Sequence, residues 1–311
     1  MYSLKQLIKS VPGFQFLDNF LRKRYTGFPD GERYNRGHFY SPLPDLNEVA
    51  RSDHLFRKDV DLGESIDLRP DSQLESLKGF ASYYGDFPWK ERCTTGYRFH
   101  LQQSWFCHGD ALILYSMLRH LRPKRVIEVG SGFSSALMLD TSDQFLDSSI
   151  LFTFIDPYPD RLLSVLREDD APLVTLHRLP VQEVPLECFK ALEAKDILFI
   201  DSSHVSRIGS DLNFLLFEVL PVLKPGVVIH FHDIFWPFEY PREWVLTKRA
   251  WNESYALRAF LQFNSDFRVT FFNSFIEHAF RDEVDELMPF FLNDSGGSLW
   301  IERNQKTLGC S

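Results

Sequence analysis

"DILFIDSSHVSRIGSDLNFLLFEVLPVLKPGVVIHFHD" spans residues 196–233 and holds one complete strand–helix–strand unit. "DILFID" (196–201) and "GVVIHFHD" (226–233) are short, apolar and rich in residues that fit a sheet. Neither alternates polar with apolar, so both faces are buried. "SDLNFLLFEVLPVL" (210–223) between them carries helical spacing. Two buried strands joined through a helix make a parallel pair.

On the N-terminal side the same alternation repeats. "KRVIEVG" (124–130), "SILFTFID" (149–156) and "LVTLHR" (173–178) read as strands. Helices are expected over 110–121, 134–145, 159–168 and 186–194. On the C-terminal side a helix (252–263) precedes strands at 267–275 and 296–303, joined by a modest connection and expected to pair antiparallel. The fold class is therefore α/β. It is a Rossmann-like, seven-stranded sheet, mostly parallel, with an antiparallel C-terminal strand pair. Residues 1–105 are irregular apart from a helix around Leu74, Leu77, Phe80 and Tyr83, and are expected to form an N-terminal extension or cap. Residues 106–311 are expected to form the sheet domain.

Ligands of such sheets sit at the carboxyl ends of the strands. The first strand ends in "EVGSGFSS" (128–135) and the second in Asp156, Pro157 and Tyr158. "PVQEV" (180–184) follows the third, "DSSH" (201–204) the fourth, and His232-Asp233 closes the fifth. Gly130-x-Gly132 allows a tight turn and close approach to the backbone. A dinucleotide fingerprint asks for a third glycine where this chain has Ser135. Glu128 adds negative charge, which suits a cationic amine better than a diphosphate. Asp156 stands where an acid accepts bonds from a ribose diol. These features fit S-adenosylmethionine better than a nicotinamide dinucleotide. Asp156 as a helix cap beside Pro157 is the plainer alternative. Gln182 or Glu183 falls near the adenine in this reading.

The 311 residues are 44% hydrophobic and 25% charged, enough for a large core. A net charge of −9 argues against nucleic acid as partner, because phosphate recognition wants a basic face. The 30 phenylalanines fit dense packing or an aromatic interface. Cys93, Cys107, Cys188 and Cys310 show no CxxC spacing and read as free thiols of a reducing compartment. No segment reaches the ~18 apolar residues of a membrane span. "MYSLKQLIKSVPGFQF" lacks the apolar stretch of a signal peptide. A cytoplasmic protein is expected, with a small-molecule acceptor as partner, no membrane, and a homo-oligomer compatible with the sequence.

"VIEVGSGFSSAL", "FIDPYPDRL" and the 196–233 unit resemble class I S-adenosylmethionine-dependent methyltransferases over roughly residues 106–303. Asp-x-x-His after strand four and His-Asp after strand five resemble the subgroup with cephalosporin-hydroxylase-like proteins and macrolide-sugar O-methyltransferases. The resemblance implies a cofactor set of Glu128, Gly130, Ser131, Gly132 and Ser134. It also implies Asp156, Pro157, Gln182 and Asp201. It implies a divalent ion at Asp201, His232 and Asp233, and catalysis by Asp201 with His204 as general base. Two carboxylates suit magnesium or manganese, and an added imidazole tilts toward manganese, iron or zinc. O-methylation of a small hydroxylated acceptor, a sugar or secondary metabolite, follows as the expected activity.

Alternatives stand at each position. His204 as a brace for the next helix, Asp211 as its orienter, His232 as a packed strand histidine and Asp233 as a bare loop acid are all compatible with the sequence. By period two His230 shares a face with His232 and is expected one layer deeper. Phe235, Trp236, Phe238 and Tyr240, and the N-terminal Tyr34, His38, Phe39 and Tyr40, suit either an acceptor pocket or packing. Trp105 to Asp110 lead directly into the cofactor domain. Two rival functions remain: a metal-independent transferase acting on nitrogen or carboxylate, and a partner-binding module without catalysis.

Overall fold

The computed structural model describes residues 34–106 and 108–305. The start of the expected extension, with its leader-free reading, and Cys107 and Cys310 lie outside the described residues. The chain divides into two compact units.

The smaller unit comprises Met1–Arg57 and Arg242–Ala250. Its helix α1 (Leu46–Ala50) is capped by Asp45, whose side chain accepts from the Asn47 amide. Tyr34, His38, Phe39 and Tyr40 stack on one another here, and Phe39 and Tyr40 are exposed.

The larger unit comprises Lys58–Pro241 and Trp251–Ser311 and is built on one sheet. Its strands are β1 (Arg125–Val129), β2 (Leu151–Ile155), β3 (Val174–His177), β4 (Ile197–Ile200), β5 (Val228–Phe231), β6 (Phe267–Phe272) and β7 (Leu299–Arg303). The order across the sheet is β3-β2-β1-β4-β5-β7-β6. Pairs β1–β2, β1–β4, β2–β3 and β4–β5 are parallel, whereas β7 runs antiparallel to both β5 and β6. The expected fold class is thus the observed one.

Strand side chains alternate between two cores. Ile197, Phe199 and Val228 face one, with Phe152, Phe154 and Trp300. Leu198, Ile200, Ile229 and Phe231 face the other. Helix α2 (Pro70–Tyr84), α3 (His108–Leu121) and α4 (Phe133–Phe145) cover the first side through Leu77, Phe80, Leu114 and Leu137. Pro70 opens α2 at a position whose amide needs no partner. Gln73 ties α2 to the end of β6, its Oε1 accepting from the Phe272 amide at 2.8 Å. Of the stretch expected as an extension, residues from Lys58 onward belong to this unit.

Helices α5 (Asp160–Val165) and α6 (Leu186–Lys190) are shorter than the spacing predicts. The helix after β4, α7, begins at Asp211–Phe214, widens into a π turn over Leu215–Val219 and ends at Leu220–Val222. Pro221 has no amide to donate and its ring crowds the preceding turn, which the wider winding relieves. Helix α8 (Arg242–Leu246) falls in the smaller unit and α9 (Glu253–Leu261) in the larger. The β6–β7 connection is more than a loop: residues 273–275, read as strand, begin α10 (Asn273–Ala279), and α11 (Arg281–Leu287) follows. Many of the phenylalanines serve the cores; Phe80, Phe99, Phe106, Phe152, Phe199 and Phe271 are fully buried. No helix among the described residues is long and apolar enough to cross a membrane.

Candidate functional site

The carboxyl ends of β2, β1, β4 and β5 lie side by side in that order. The ladder runs one residue past each strand. The amides of Asp156, Gly130, Asp201 and His232 donate to His177, Ile155, Val129 and Ile200 carbonyls at 2.9–3.0 Å. The first residue of each functional loop is therefore held by the sheet itself.

At the end of β1, Gly130 has φ +82°, and a Cβ there would sit 1.9 Å from the Asp201 carbonyl oxygen. Only glycine fits this turn. The Asp156 carboxylate closes it. Its Oδ2 accepts from the Ser131 amide at 3.0 Å and hydroxyl at 2.8 Å, and Oδ1 accepts from the Tyr158 amide at 2.8 Å. A carboxylate has about four acceptor sites, so capacity for a further donor remains. Glu128 is fully buried and turns toward the first turn of α4. It accepts from Ser134 Oγ at 2.5 Å and from Ser135 Oγ. Burial pushes its carboxyl up to about 8 against those two hydrogen bonds. Gln182 is exposed and donates to the Gly209 carbonyl at 2.9 Å, and Pro157 is exposed beside Asp156.

At the ends of β4 and β5, Asp201, His204 and Asp233 converge, one ligand atom from each lying within 4.8 Å of the others. His204 and Asp233 both adopt left-handed backbone conformations, φ +58° and +59°. For residues with a Cβ such geometry is uncommon and persists only where the surroundings impose it. His204 Nε2 stands 3.4 Å from Asp201 Oδ1 and 3.6 Å from Asp233 Oδ2. Its Nδ1 is 2.7 Å from Oε2 of Glu253, a buried residue at the start of α9. The Trp251 ring lies 4.3 Å from the imidazole, centre to centre.

His232 stands outside that trio. Its Nε2 is 3.7 Å from Asp233 Oδ1, and its ring packs at 5.3 Å from Phe106. His230 is deeper, as expected: it is fully buried, stacked on Phe199, with Nε2 2.8 Å from Ser298 Oγ. Asp211 does not orient His204; it accepts from the Ser203 amide and hydroxyl at 2.9 and 2.5 Å. Glu253 holds that place, and nothing in its local sequence announces it. Asp110, also buried, takes bonds from Ser298 Oγ at 2.5 Å and Asn273 Nδ2 at 3.1 Å. The Gly297 carbonyl accepts from the Ile234 amide at 2.8 Å, so this buried corner fixes the turn that carries Asp233.

Electrostatics at the edge is dominated by acids. Burial disfavours charge on His204, yet Asp201 and Glu253 outweigh it and hold its proton affinity well above the ordinary value. His232 is likewise opposed by burial but carried up to about 9 by Asp233, Asp201 and Asp110. Burial pushes Asp201 up, and the two imidazoles overcome this and bring it below the carboxylate norm. The two imidazoles supply the positive charge that balances these carboxylates. Two carboxylates and an imidazole nitrogen fit a divalent ion. A cavity of about 650 Å³ lined by Val60, Leu62, Ile66, Trp236 and Phe275 includes none of these groups.

The sheet, with β7 inserted antiparallel between β5 and β6, has the Rossmann-like arrangement expected from the sequence. A family model described as "Methyltransferase domain" matches residues 127–234, which carry the first five strands and the polar strand ends. An uncharacterized protein of Archaeoglobus fulgidus is 35% identical over 188 residues, 57% of this chain and 83% of that one. Among solved structures, the O-methyltransferase TomG from Streptomyces achromogenes, in complex with S-adenosylmethionine, is 16% identical. Its TM-score is 0.40, over 74% of this chain and 90% of that chain. The Podospora anserina methyltransferase PaMTH1, bound to S-adenosylhomocysteine, is 17% identical with a TM-score of 0.40, over 85% and 99%. Residues 127–234 therefore form a methyltransferase domain, and the chain belongs to one family with the Archaeoglobus fulgidus protein.

Proposed function

We propose that this protein methylates a hydroxyl oxygen of a small molecule, a sugar or secondary metabolite, with a divalent ion at the β4–β5 edge. The observation that carries this reading is the meeting of Asp201 and Asp233 with a buried imidazole beside the glycine turn.

When bound, S-adenosylmethionine supplies a methyl on a sulfonium, whose C–S electron pair leaves with sulfur as the acceptor oxygen bonds carbon. The Gly130–Gly132 turn gives its amino-acid end a bare backbone, and Asp156 offers its remaining acceptor capacity to the ribose. Glu128 and Ser134 shape that turn from beneath, while Ser131, Pro157 and Gln182 border it. An alcohol is a weak nucleophile until its proton is drawn off. A divalent ion held by Asp201 and Asp233 would acidify and fix that hydroxyl, whose proton would pass to solvent as the methyl is transferred. The chain's own contribution is position: a ladder-anchored Asp201 touches both the turn and the cluster, and would so fix the methyl donor's site relative to the hydroxyl's. Such ordering contributes several kcal/mol to a displacement.

Calorimetric titration of S-adenosylmethionine and S-adenosylhomocysteine, with and without EDTA, tests this alongside elemental analysis. Micromolar binding, with a stoichiometric metal that Asp233→Ala loses, is the expected result. Binding without any metal would move the cluster to acceptor recognition and favour a nitrogen or carboxylate acceptor. Absence of binding would overturn the reading.

A further inference from the structure

We propose that His204 is a metal ligand through Nε2, and that Glu253 is the positioning residue that makes it one. The inference deepens the reading above and rests on its divalent ion. It departs from the general-base role that the sequence resemblance implies for this histidine, and it puts His204 in the place expected of His232.

Glu253 decides the tautomer. Its Oε2 lies 2.7 Å from His204 Nδ1, both side chains are buried, and a carboxylate can only accept. The Nδ1 proton is therefore committed to Glu253. Nε2 is then the nitrogen aimed between two carboxylates, the one free to exchange its proton for a metal ion. At 3.4 and 3.6 Å from Asp201 and Asp233 it is close to both yet well bonded to neither. Either a proton on Nε2 or a metal ion supplies the positive charge between the three groups, and a metal ion would displace that proton. Ligand bonds of about 2.0–2.2 Å put two ligands of one ion about 3–3.4 Å apart. The observed spacings match a shared ion better than a set of hydrogen bonds. Carboxylate, imidazole and metal in a row is also how proteins fix a ligating histidine and raise its basicity.

An Nε2 bonded to the ion cannot also take the hydroxyl proton. A general base must face the hydroxyl it deprotonates. Nε2 faces the carboxylates, and Trp251 lies against the ring. His232 is the poorer ligand. Period two sends it to the α3 side, against Phe106, with its buried Nδ1 unpaired and its Nε2 3.7 Å from the nearest Asp233 oxygen. One imidazole with two carboxylates favours manganese or iron over magnesium.

The test uses the full chain and Mn²⁺ alone. Mn²⁺ affinity is followed by electron paramagnetic resonance, and nitrogen ligation by electron spin-echo modulation. The wild type is expected to bind one Mn²⁺ with a nitrogen signal. His204→Gln should lose that signal and His232→Gln should keep it. Glu253→Gln should keep the nitrogen but bind Mn²⁺ about 10–100-fold more weakly. S-adenosylhomocysteine titrations on each variant report the fold and the cofactor site separately. A nitrogen signal that survives His204→Gln, or one that disappears with His232→Gln, overturns the proposal. So does unchanged Mn²⁺ affinity in Glu253→Gln. Wild type that binds S-adenosylhomocysteine but not Mn²⁺ sinks this inference and leaves the cofactor assignment standing; failure of both removes both.

Discussion

Two buried clusters of opposite charges sit in the larger unit, and they are built differently. In the first, Arg98 reaches three acids at bonding distance: Asp140 at 2.9 Å, Asp143 at 2.7 Å and Asp170 at 2.6 Å. The amides of Arg98 and Phe99 and the Trp89 indole also donate to Asp140, at 2.8–3.1 Å. The guanidinium lies between acids that would otherwise be left unpaired. In the second, His204 and His232 stand 3.4–3.7 Å from Asp201 and Asp233, near but not joined. The first cluster is closed and holds the 85–105 segment against α4. The second is held open by Glu253, the β4–β5 ladder and two left-handed residues. Folding closes the first cluster at hydrogen-bonding distance, whereas it leaves the second at wider spacings.

The sharpest way to break that comparison is to neutralise one central charge in each cluster. Asp201→Asn is expected to lower turnover by ~10³-fold or more, about 4 kcal/mol of transition-state stabilisation. Its melting temperature should fall only modestly, since the imidazoles that favour its charge outweigh the cost of burying it. Single-turnover formation of S-adenosylhomocysteine and a calorimetric melt measure both. A melt that drops steeply would place Asp201 among the structural acids.

Arg98→Met should do the reverse. Removing the cation leaves three acids facing one another, at a cost of ~3–5 kcal/mol of stability. Activity per folded molecule should stay within about twofold. Urea unfolding at neutral pH, with active-site titration of the folded fraction, checks it. Loss of turnover at full stability would mean that the 85–105 segment reaches the reaction.

Much of this could be read from the sequence, and the misses have physical causes. Strand–helix alternation gave the sheet, because buried parallel strands leave continuous apolar runs such as "ILFI" and "VVI". Gly130, Asp156, Asp201 and Asp233 were legible because topology delivers strand ends to one edge. The separation of His204 from His232 was not. Period two predicts where a strand residue points, and His232 obeys it by joining Phe106. His204 and Asp233 lie in left-handed turns, where no period applies. Glu253 and the acids around Arg98 come from 42 to 72 residues away, and only packing selects them. Asp211 looked like the orienter because it was near in sequence; its side chain is instead taken by Ser203.

Glu128 supplies a third, quieter test, since it is a buried acid with hydroxyl partners and no cation. Its carboxyl is raised from 4.5 to about 8 by burial, against the bonds from Ser134 and Ser135. The folded chain therefore keeps this proton while the unfolded chain has released it. Folding takes up a proton between those values, so stability contributed here falls as pH rises from about 4.5 through about 8. Glu128→Gln cannot titrate and removes that slope. It also loses one acceptor, because an amide oxygen serves two hydroxyls less well, which costs ~1 kcal/mol. The variant should be slightly less stable than wild type below pH ~4.5, the two curves should cross within about one pH unit above that, and the wild type should be the less stable from there to the folded value near 8. Urea midpoints across that range decide it. Parallel curves would mean that Glu128 ionises in the folded state with a partner it does not have here. It would then resemble the acids around Arg98 rather than stand apart from both clusters.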